Sequence, residues 1–335
     1  MKIINNKKII GPILIVLPKF IGDVINTLPA LELLSKLYPK QSICVLARPY
    51  LCELLKKTTI SNLQIIEDKR DAAFQKQSLL SLAKYLKSYN FSLAILFRGS
   101  LREAILCRLA RIKLTVGYAQ NLRSGLLSHA LKLNPCHHYI HRYCRLVNDT
   151  HGQPFNDYSL PTLVPSPLEK ALPSNSILKI GLYFGGENKG SRHYPIGLSQ
   201  QILTQYADQF PCHFYLFGDK TESKDNARLQ QRCTDKNIQL TDLSGATTLP
   251  VLIDYIAVMD LMISIDSGPM HMACAVNTPC VALVGFGTSA WSSVEPKNNA
   301  FKVIRNTSKS LIEANIITSI TPKSVVIAGK KLLER

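Results

Sequence analysis

Short uncharged runs recur along the chain, and most are followed by a stretch with helical periodicity. Residues 12–17, 42–47, 63–66, 91–97 and 114–118 are apolar or nearly so, which predicts buried strands. Between them, a helix runs from the turn at 18–24 to about residue 38, with Leu28, Leu31, Leu34 and Leu37 on one stripe before Pro39. Further helices are predicted over 50–57, 78–88 and 101–110. After residue 176 the alternation resumes, with strands at 177–184, 213–217, 261–265, 280–284 and 301–304. Helices are predicted at 195–209, 247–259 and 269–276, and a terminal one begins at Thr321-Pro322. Repeated strand–helix units of this spacing imply an α/β fold with parallel sheets covered on both faces.

The interruption at 151–175 carries Pro154, Pro161, Pro165, Pro167 and Pro173 and little periodicity, so it reads as a linker. The predicted organisation is therefore a first domain over 1–165 and a second over 176–320. In the terminal helix of 321–335, Val325, Val326 and Ala328 are expected to pack back on the first domain.

Charge separates the halves. Residues 1–165 carry 23 Lys and Arg against 9 Asp and Glu, and residues 166–335 carry 17 against 14. The first half is thus matched to something anionic. Nine cysteines without a Cys-x-x-Cys pair read as reduced thiols in a cytoplasmic protein. Lys2, Lys7 and Lys8 precede an apolar run, but Lys19 and Asp23 cut it short and no cleavage site follows, so no signal peptide is expected. No apolar segment is long enough to span a bilayer.

Residues 261–291 carry the densest chemistry. A strand ends in Asp266-Ser267-Gly268-Pro269, a helix start, and His271 follows on its first turn. Backbone N–H groups and the helix dipole there suit a phosphate. On these residues alone, a capped helix with a packed histidine is an equal reading. Gly22-Asp23 makes a similar turn after the first strand, with an N-cap aspartate as the plainer reading. Gly185-Gly186, Lys189 and Arg192 form a glycine-bearing loop that ends at the helix start Pro195, a geometry able to wrap a diphosphate. Glu222, just past Gly218-Asp219, is placed to accept from ribose hydroxyls, by analogy with dinucleotide folds.

Residues 98–145 hold nine basic side chains against Glu103 alone, among them Arg98, Arg102, Arg123 and Arg142. On a helix, His137, His141 and Cys144 would share one face, and with Cys136 nearby these are zinc-ligand types. A second ligand pair is missing, and Arg142 and Arg145 add repulsion, so a metal site is disfavoured. No Gly-x-Gly-x-x-Gly follows the first strand, which disfavours a nicotinamide dehydrogenase. A nucleic-acid binder would use the basic half, yet that half lacks aromatics interleaved with its arginines.

Together, Lys19-Phe20-Ile21-Gly22-Asp23-Val24 with Leu28-Pro29, Arg192-His193-Tyr194-Pro195, and Asp266-Ser267-Gly268-Pro269-Met270-His271-Met272-Ala273 resemble a family. It is that of the ADP-heptose:lipopolysaccharide heptosyltransferases, glycosyltransferase family 9, and the chain looks most like the heptosyltransferase II branch. The resemblance implies a GT-B fold: two Rossmann-like domains facing across a cleft, the donor held by the second and the acceptor by the first. It implies an inverting, metal-independent transfer of heptose from ADP-heptose to the anionic inner core of lipopolysaccharide. It further implies a cytoplasmic enzyme with peripheral contact at the inner membrane, no cofactor and no nucleic-acid partner.

By the same resemblance Asp23 is the general base. Arg192, Ser267 and Gly268 neutralise the leaving ADP, and Gly185 and Gly186 line the donor site. Glu222 holds the ribose, and Asp266 and His271 orient donor sugar or phosphate. Gly22, Arg98, Arg102 and Arg123 face the acceptor. Departures from the family pattern are Arg192 where lysine is common, Tyr194 where tryptophan is common, and Gly285-Phe286-Gly287-Thr288 where glycine-proline is usual. They leave room for another ADP-sugar or a protein acceptor.

Overall fold

The computed structural model describes residues 3–71, 76–168, 172, 177–234, 238–286, 289–298, 300–305, 310 and 312–334. Gly287 and Thr288, and residues 169–171 and 173–176 of the expected linker, lie outside them. The chain divides into two units, Met1–Thr162 and Leu163–Arg335.

The first unit runs β1 (Ile13–Val16), α1 (Ile21–Leu37), β2 (Ile43–Ala47), α2 (Pro49–Leu55), β3 (Leu63–Glu67), α3 (Leu79–Lys87), β4 (Leu93–Leu96), α4 (Leu101–Leu109), β5 (Thr115–Tyr118), β6 (His129–Leu131) and α5 (Tyr139–Asn148). Its strands form one six-stranded parallel sheet in the order β3-β2-β1-β4-β5-β6. β1 is central, and Ile13, Leu14, Ile15 and Val16 are inaccessible on both faces. A strand covered on both sides needs no polar alternation, which is why this one reads as a continuous apolar run. α1 buries Leu28, Leu31 and Leu34 and packs against α5. β6 has only three residues, too few to show a pattern. α5 begins two residues beyond His137, so the helical face of His137, His141 and Cys144 does not form.

The second unit runs β7 (Leu178–Tyr183), α6 (Ile196–Ala207), β8 (Cys212–Leu216), α7 (Ser223–Thr234), β9 (Gln239–Asp242), α8 (Leu249–Ala257), β10 (Leu261–Ile265), α9 (Gly268–Ala275), β11 (Cys280–Leu283), α10 (Trp291–Val294), β12 (Phe301–Ile304), α11 (Glu313–Ser319) and α12 (Pro322–Leu333). Its six parallel strands lie in the order β12-β11-β10-β7-β8-β9. Taken in chain order within the unit, this is the winding of the first sheet repeated. In both sheets the strand order reverses at the first strand, the place where ligands settle against the carboxyl edge of such folds.

The expected terminal helix forms and covers its own unit: α12 packs on α6 and on β10, β11 and β12. Val325 and Val326 are buried there. Gly329 allows the approach: a Cβ at that position would stand 1.9 Å from Tyr206 Oη and 2.8 Å from Leu261 Cδ2. The division between units also falls earlier than residue 165. The Leu163 N–H donates to the Ala275 carbonyl at 2.9 Å and the Ser166 N–H to Asp254 Oδ1 at 2.7 Å, tying the start of the expected linker to the second unit. No helix among the described residues is long and apolar enough to cross a membrane.

Candidate functional site

The two sheets offer two carboxyl edges. At the first, β1 gives way to a turn and Asp23 occupies the third position of α1. The N-cap is Phe20, which makes no side-chain cap, so Asp23 is not the capping residue. In the first helical turn the dipole favours a carboxylate. Asp23 is half-buried. Burial pushes the neighbouring Tyr143 phenol well above its usual range, and the Asp23 charge adds to that.

Beside this turn, Asp71 gathers three cations from three elements. Arg48 Nη2, just past β2, contacts Asp71 Oδ2, and Lys19 Nζ reaches the same oxygen at 3.4 Å. Arg102 Nη1, on α4, lies 3.7 Å from the other oxygen. Burial raises the Asp71 carboxyl, but Lys19 and Arg48 outweigh it and hold the group below its usual range.

Arg98 and Arg123 are not disposed as expected. Arg98 is 8% exposed and Arg123 inaccessible. Arg98 Nη1 binds Glu103 Oε1 at 3.0 Å and Asp68 Oδ2 at 3.4 Å. Arg70, unforeseen in the sequence, joins the same carboxylates: Nε to Asp68 Oδ1 at 2.7 Å and Nη2 to Glu103 Oε2 at 2.7 Å. Arg123 donates through Nε to the Tyr118 carbonyl at 2.9 Å and through Nη1 to the Arg98 carbonyl at 2.6 Å. Gly117 makes room, since a Cβ there would sit 3.1 Å from Arg123 Nη2. These two arginines are therefore architecture under the edge, while Arg102 remains exposed at it. Charge is visible in a sequence, but burial of that charge is not. Asp68 and Glu103 lie 30 and 5 residues from Arg98, a spacing that announces nothing.

At the second edge, β10 delivers Asp266 to the start of α9. Ser267 is the N-cap but makes no side-chain capping bond, so helix capping does not account for this cluster. The Met270 N–H donates to the Ser267 carbonyl at 3.2 Å, which leaves the Ser267 and Gly268 N–H groups as the donors at this helix start. Pro269 sits in the first turn, where its missing N–H costs nothing. His271 is buried. Burial lifts the Asp266 carboxyl above its usual range; Arg192 opposes that and Glu313 adds to it, so both charges lie close by.

Arg192 ends the segment Glu187–Arg192 that follows β7, two short 3₁₀ turns separated by a kink at Gly190. Gly185 and Gly190 adopt left-handed backbone there, with φ of +68° and +58°. A Cβ on Gly186 would fall 2.6 Å from Asp225 Oδ2, so the loop packs onto α7 only through glycine. A cavity of about 150 Å³ lies behind it, lined by Gly185, Gly186, Tyr194, Asp225 and Leu229.

Glu222 also departs from expectation. It is 1% exposed. Oε1 accepts from Tyr183 Oη at 2.7 Å and pairs with Lys189 Nζ at 3.3 Å, and Oε2 accepts from the Asp219 N–H at 3.0 Å. Its oxygens are spent inside the unit, so it anchors the Lys189 loop rather than presenting acceptors to a ribose. Tyr194 is likewise internal, its hydroxyl donating to the Ile320 carbonyl at 2.7 Å. Glu313, at the start of α11, was legible only as a polar residue, yet its Oε2 accepts from the Phe286 N–H at 2.6 Å beside Asp266. Among the described residues no group of three His, Cys, Asp or Glu side chains is arranged to hold a metal ion.

The chemistry on offer is divided. The first edge has a partly exposed carboxylate on a helix start, and the second has open backbone donors with an arginine. The pattern of glycosyltransferase family 9 (heptosyltransferase) matches residues 79–322. A lipopolysaccharide heptosyltransferase 2 of Escherichia coli (strain K12) is 26% identical over 309 residues, covering 88% of this chain and 87% of its own. The solved structure of E. coli ADP-heptose lps heptosyltransferase II covers 96% of this chain and 98% of its own, with a TM-score of 0.82 at 24% identity. That of an E. coli heptosyltransferase with ADP-2-deoxy-2-fluoro heptose covers 96% and 99%, with a TM-score of 0.71 at 18% identity. The fold is accordingly GT-B, two Rossmann-like units in one chain.

Proposed function

The chain belongs to glycosyltransferase family 9, the heptosyltransferases, and from that premise we propose that it moves heptose from ADP-heptose to the inner core of lipopolysaccharide with inversion. The observation that carries this reading is the open start of α9, uncapped by Ser267 and near Arg192. It is a site for a leaving diphosphate. The relatives named as lipopolysaccharide heptosyltransferase 2 and the solved relative with an ADP-heptose analogue support the donor and acceptor classes.

In this reading Asp23 takes the proton from an acceptor hydroxyl as its oxygen attacks the anomeric carbon. The bond from that carbon to the diphosphate oxygen breaks, and ADP leaves with the electron pair. Arg192 and the N–H groups at Ser267 and Gly268 receive the charge that develops there. A diphosphate is a good leaving group, so one base suffices. Asp266 and His271 orient the donor, and Gly185 and Gly186 let the loop backbone come close to it. Gly22 keeps the turn before Asp23 open to the acceptor. With Arg98 and Arg123 buried, acceptor anions are met by exposed Arg102 and by the half-buried Lys19 and Arg48. The charge of the first half, 23 basic against 9 acidic residues, favours peripheral work at an anionic membrane on its cytoplasmic face.

The test is turnover of ADP-heptose with a heptose-deficient core acceptor, in the presence of a chelator. Asp23→Ala should lose about 10²–10⁴-fold in kcat, the range for a general base. Near-wild-type turnover by that variant removes Asp23 from the chemistry. Abolition by the chelator removes the metal-independent mechanism. Product of retained anomeric configuration removes single displacement. In thermal melts ADP should stabilise the protein more than UDP, GDP or NAD.

A further inference from the structure

The basic stretch after β4 contains a cavity that the proposed transfer does not use. It measures about 490 Å³ and opens past the ends of β5 and β6. Tyr118 and Leu131, the last residues of those strands, form part of its wall, with Lys132, Asn134, His137 and Arg145. It thus lies on the ligand-binding edge of the sheet, but at the far end. β6 is three strands from β1, about 14 Å at roughly 4.8 Å per strand.

Its polar groups are arranged for an anion. Arg145 gives Nε and Nη2 to Asp149 Oδ2, each at 2.9 Å, and turns Nη1 toward the His137 ring at 3.5 Å. The Asn134 side-chain amide stands 3.1 Å from His137 Nε2. An amide nitrogen donates, so Nε2 accepts and the ring is neutral in this arrangement. Lys132 has no carboxylate partner among the described residues and is exposed. The cavity therefore has two cations, Arg145 and Lys132, against the single carboxylate of Asp149. Planar Arg145 and exposed Lys132 are the pair that phosphate and carboxylate recognition uses.

We propose that this cavity is a distal acceptor subsite, holding a phosphate or carboxylate group a few sugar units from the hydroxyl that reacts. The inference rests on the proposed heptosyl transfer, because only a long, multiply charged acceptor reaches both places. It also assigns a task to the His137 region, which the transfer chemistry leaves idle.

Two measurements test it. Inorganic phosphate is titrated while the His137 ring signals are followed by NMR. A saturable shift in the wild type that is lost in Lys132→Glu is expected, and no shift overturns the site. Lys132 is on the surface, so the substitution leaves the fold intact. Then kcat/KM is compared for a phosphorylated core acceptor and the same acceptor after phosphatase treatment. Lys132→Glu should lower the ratio between them by about tenfold, the scale of one lost charge-assisted contact. Arg145→Ala should lower it in the same direction. An unchanged ratio overturns the assignment. If the wild type turns over neither acceptor, the heptosyl reading itself fails. A phosphate shift at His137 in that case leaves an anion site and removes the acceptor as its ligand.

Discussion

The two carboxyl edges are built on the same winding and filled in opposite ways. Under the first, Arg70, Arg98, Asp68 and Glu103 form a buried ion network and Arg123 donates to two carbonyls, while Arg70 Nη1, Arg98 Nε and Nη2 and Arg123 Nη2 meet no partner among the described residues. Under the second, glycines let backbone approach backbone, and the start of α9 is left uncapped. The first edge is stiffened by charges that neutralise one another, and in the proposed transfer the cations above it face the polyanionic acceptor. At the second, the Ser267 and Gly268 N–H groups are the donors that the proposed transfer assigns to a diphosphate. Net charge alone does not locate a binding edge, because the richer half keeps Arg70, Arg98 and Arg123 inside.

The most damaging way to probe this contrast is Asp23→Ala, with the loss in kcat given above and little change in melting temperature. A large fall in stability would show that Asp23 is structural. Next, Glu103→Gln should destabilise the first unit by about 3–5 kcal/mol, because it strands buried guanidinium charge. Denaturant unfolding measures this. A cost below about 1 kcal/mol would mean the network does not secure the buried charge. Arg192→Ala should then cost about 10²-fold in kcat, with stability retained, since it acts on charge formed during reaction. Arg192→Lys should recover most of that.

Acid and neutral pH separate the edges more finely. Burial raises the Asp68 carboxyl, but Arg70 and Arg98 prevail and hold it below its usual range. Its contribution to stability is therefore present above the ordinary carboxylate pKa and is lost as pH falls through the lowered value. Asp266 is displaced upward, so its sign is opposite: its contribution is greatest at acid pH and falls as pH rises through the raised value. Asp266→Asn should accordingly raise the melting temperature at neutral pH while weakening ADP-heptose binding. A lower melting temperature at neutral pH would contradict the sign. The smallest effect belongs to Arg102→Ala, within about 0.5 kcal/mol of stability, because its pairing with Asp71 is exposed.

Much of the fold was legible because sheets covered on both faces leave long apolar runs, as in β1, β7 and β10. α7 was not, since its twelve residues are mostly polar and bury only Asp225, Asn226, Leu229 and Cys233. β9, at a sheet edge, has no fully buried position and so no hydrophobic signature. Of the site, the Asp266 and Asp23 turns were visible through glycine and proline beside a strand end. The disposition of Glu222, Arg98 and Arg123 was invisible, because local spacing does not report which partner a charged side chain meets across the fold. Glu313 reaches the Gly285-Phe286 loop from 27 residues away and left no local trace.

The docking of α12 through Gly329 sets an order of assembly. The first unit is complete at Thr162 and can fold while synthesis continues. The second unit cannot, because the faces of β10, β11 and β12 wait for residues 322–333 to cover them. The strand that ends in Asp266 is thus covered only once residues 322–333 have been made. A stop before residue 322 would release a finished first unit joined to a second unit with an apolar face exposed.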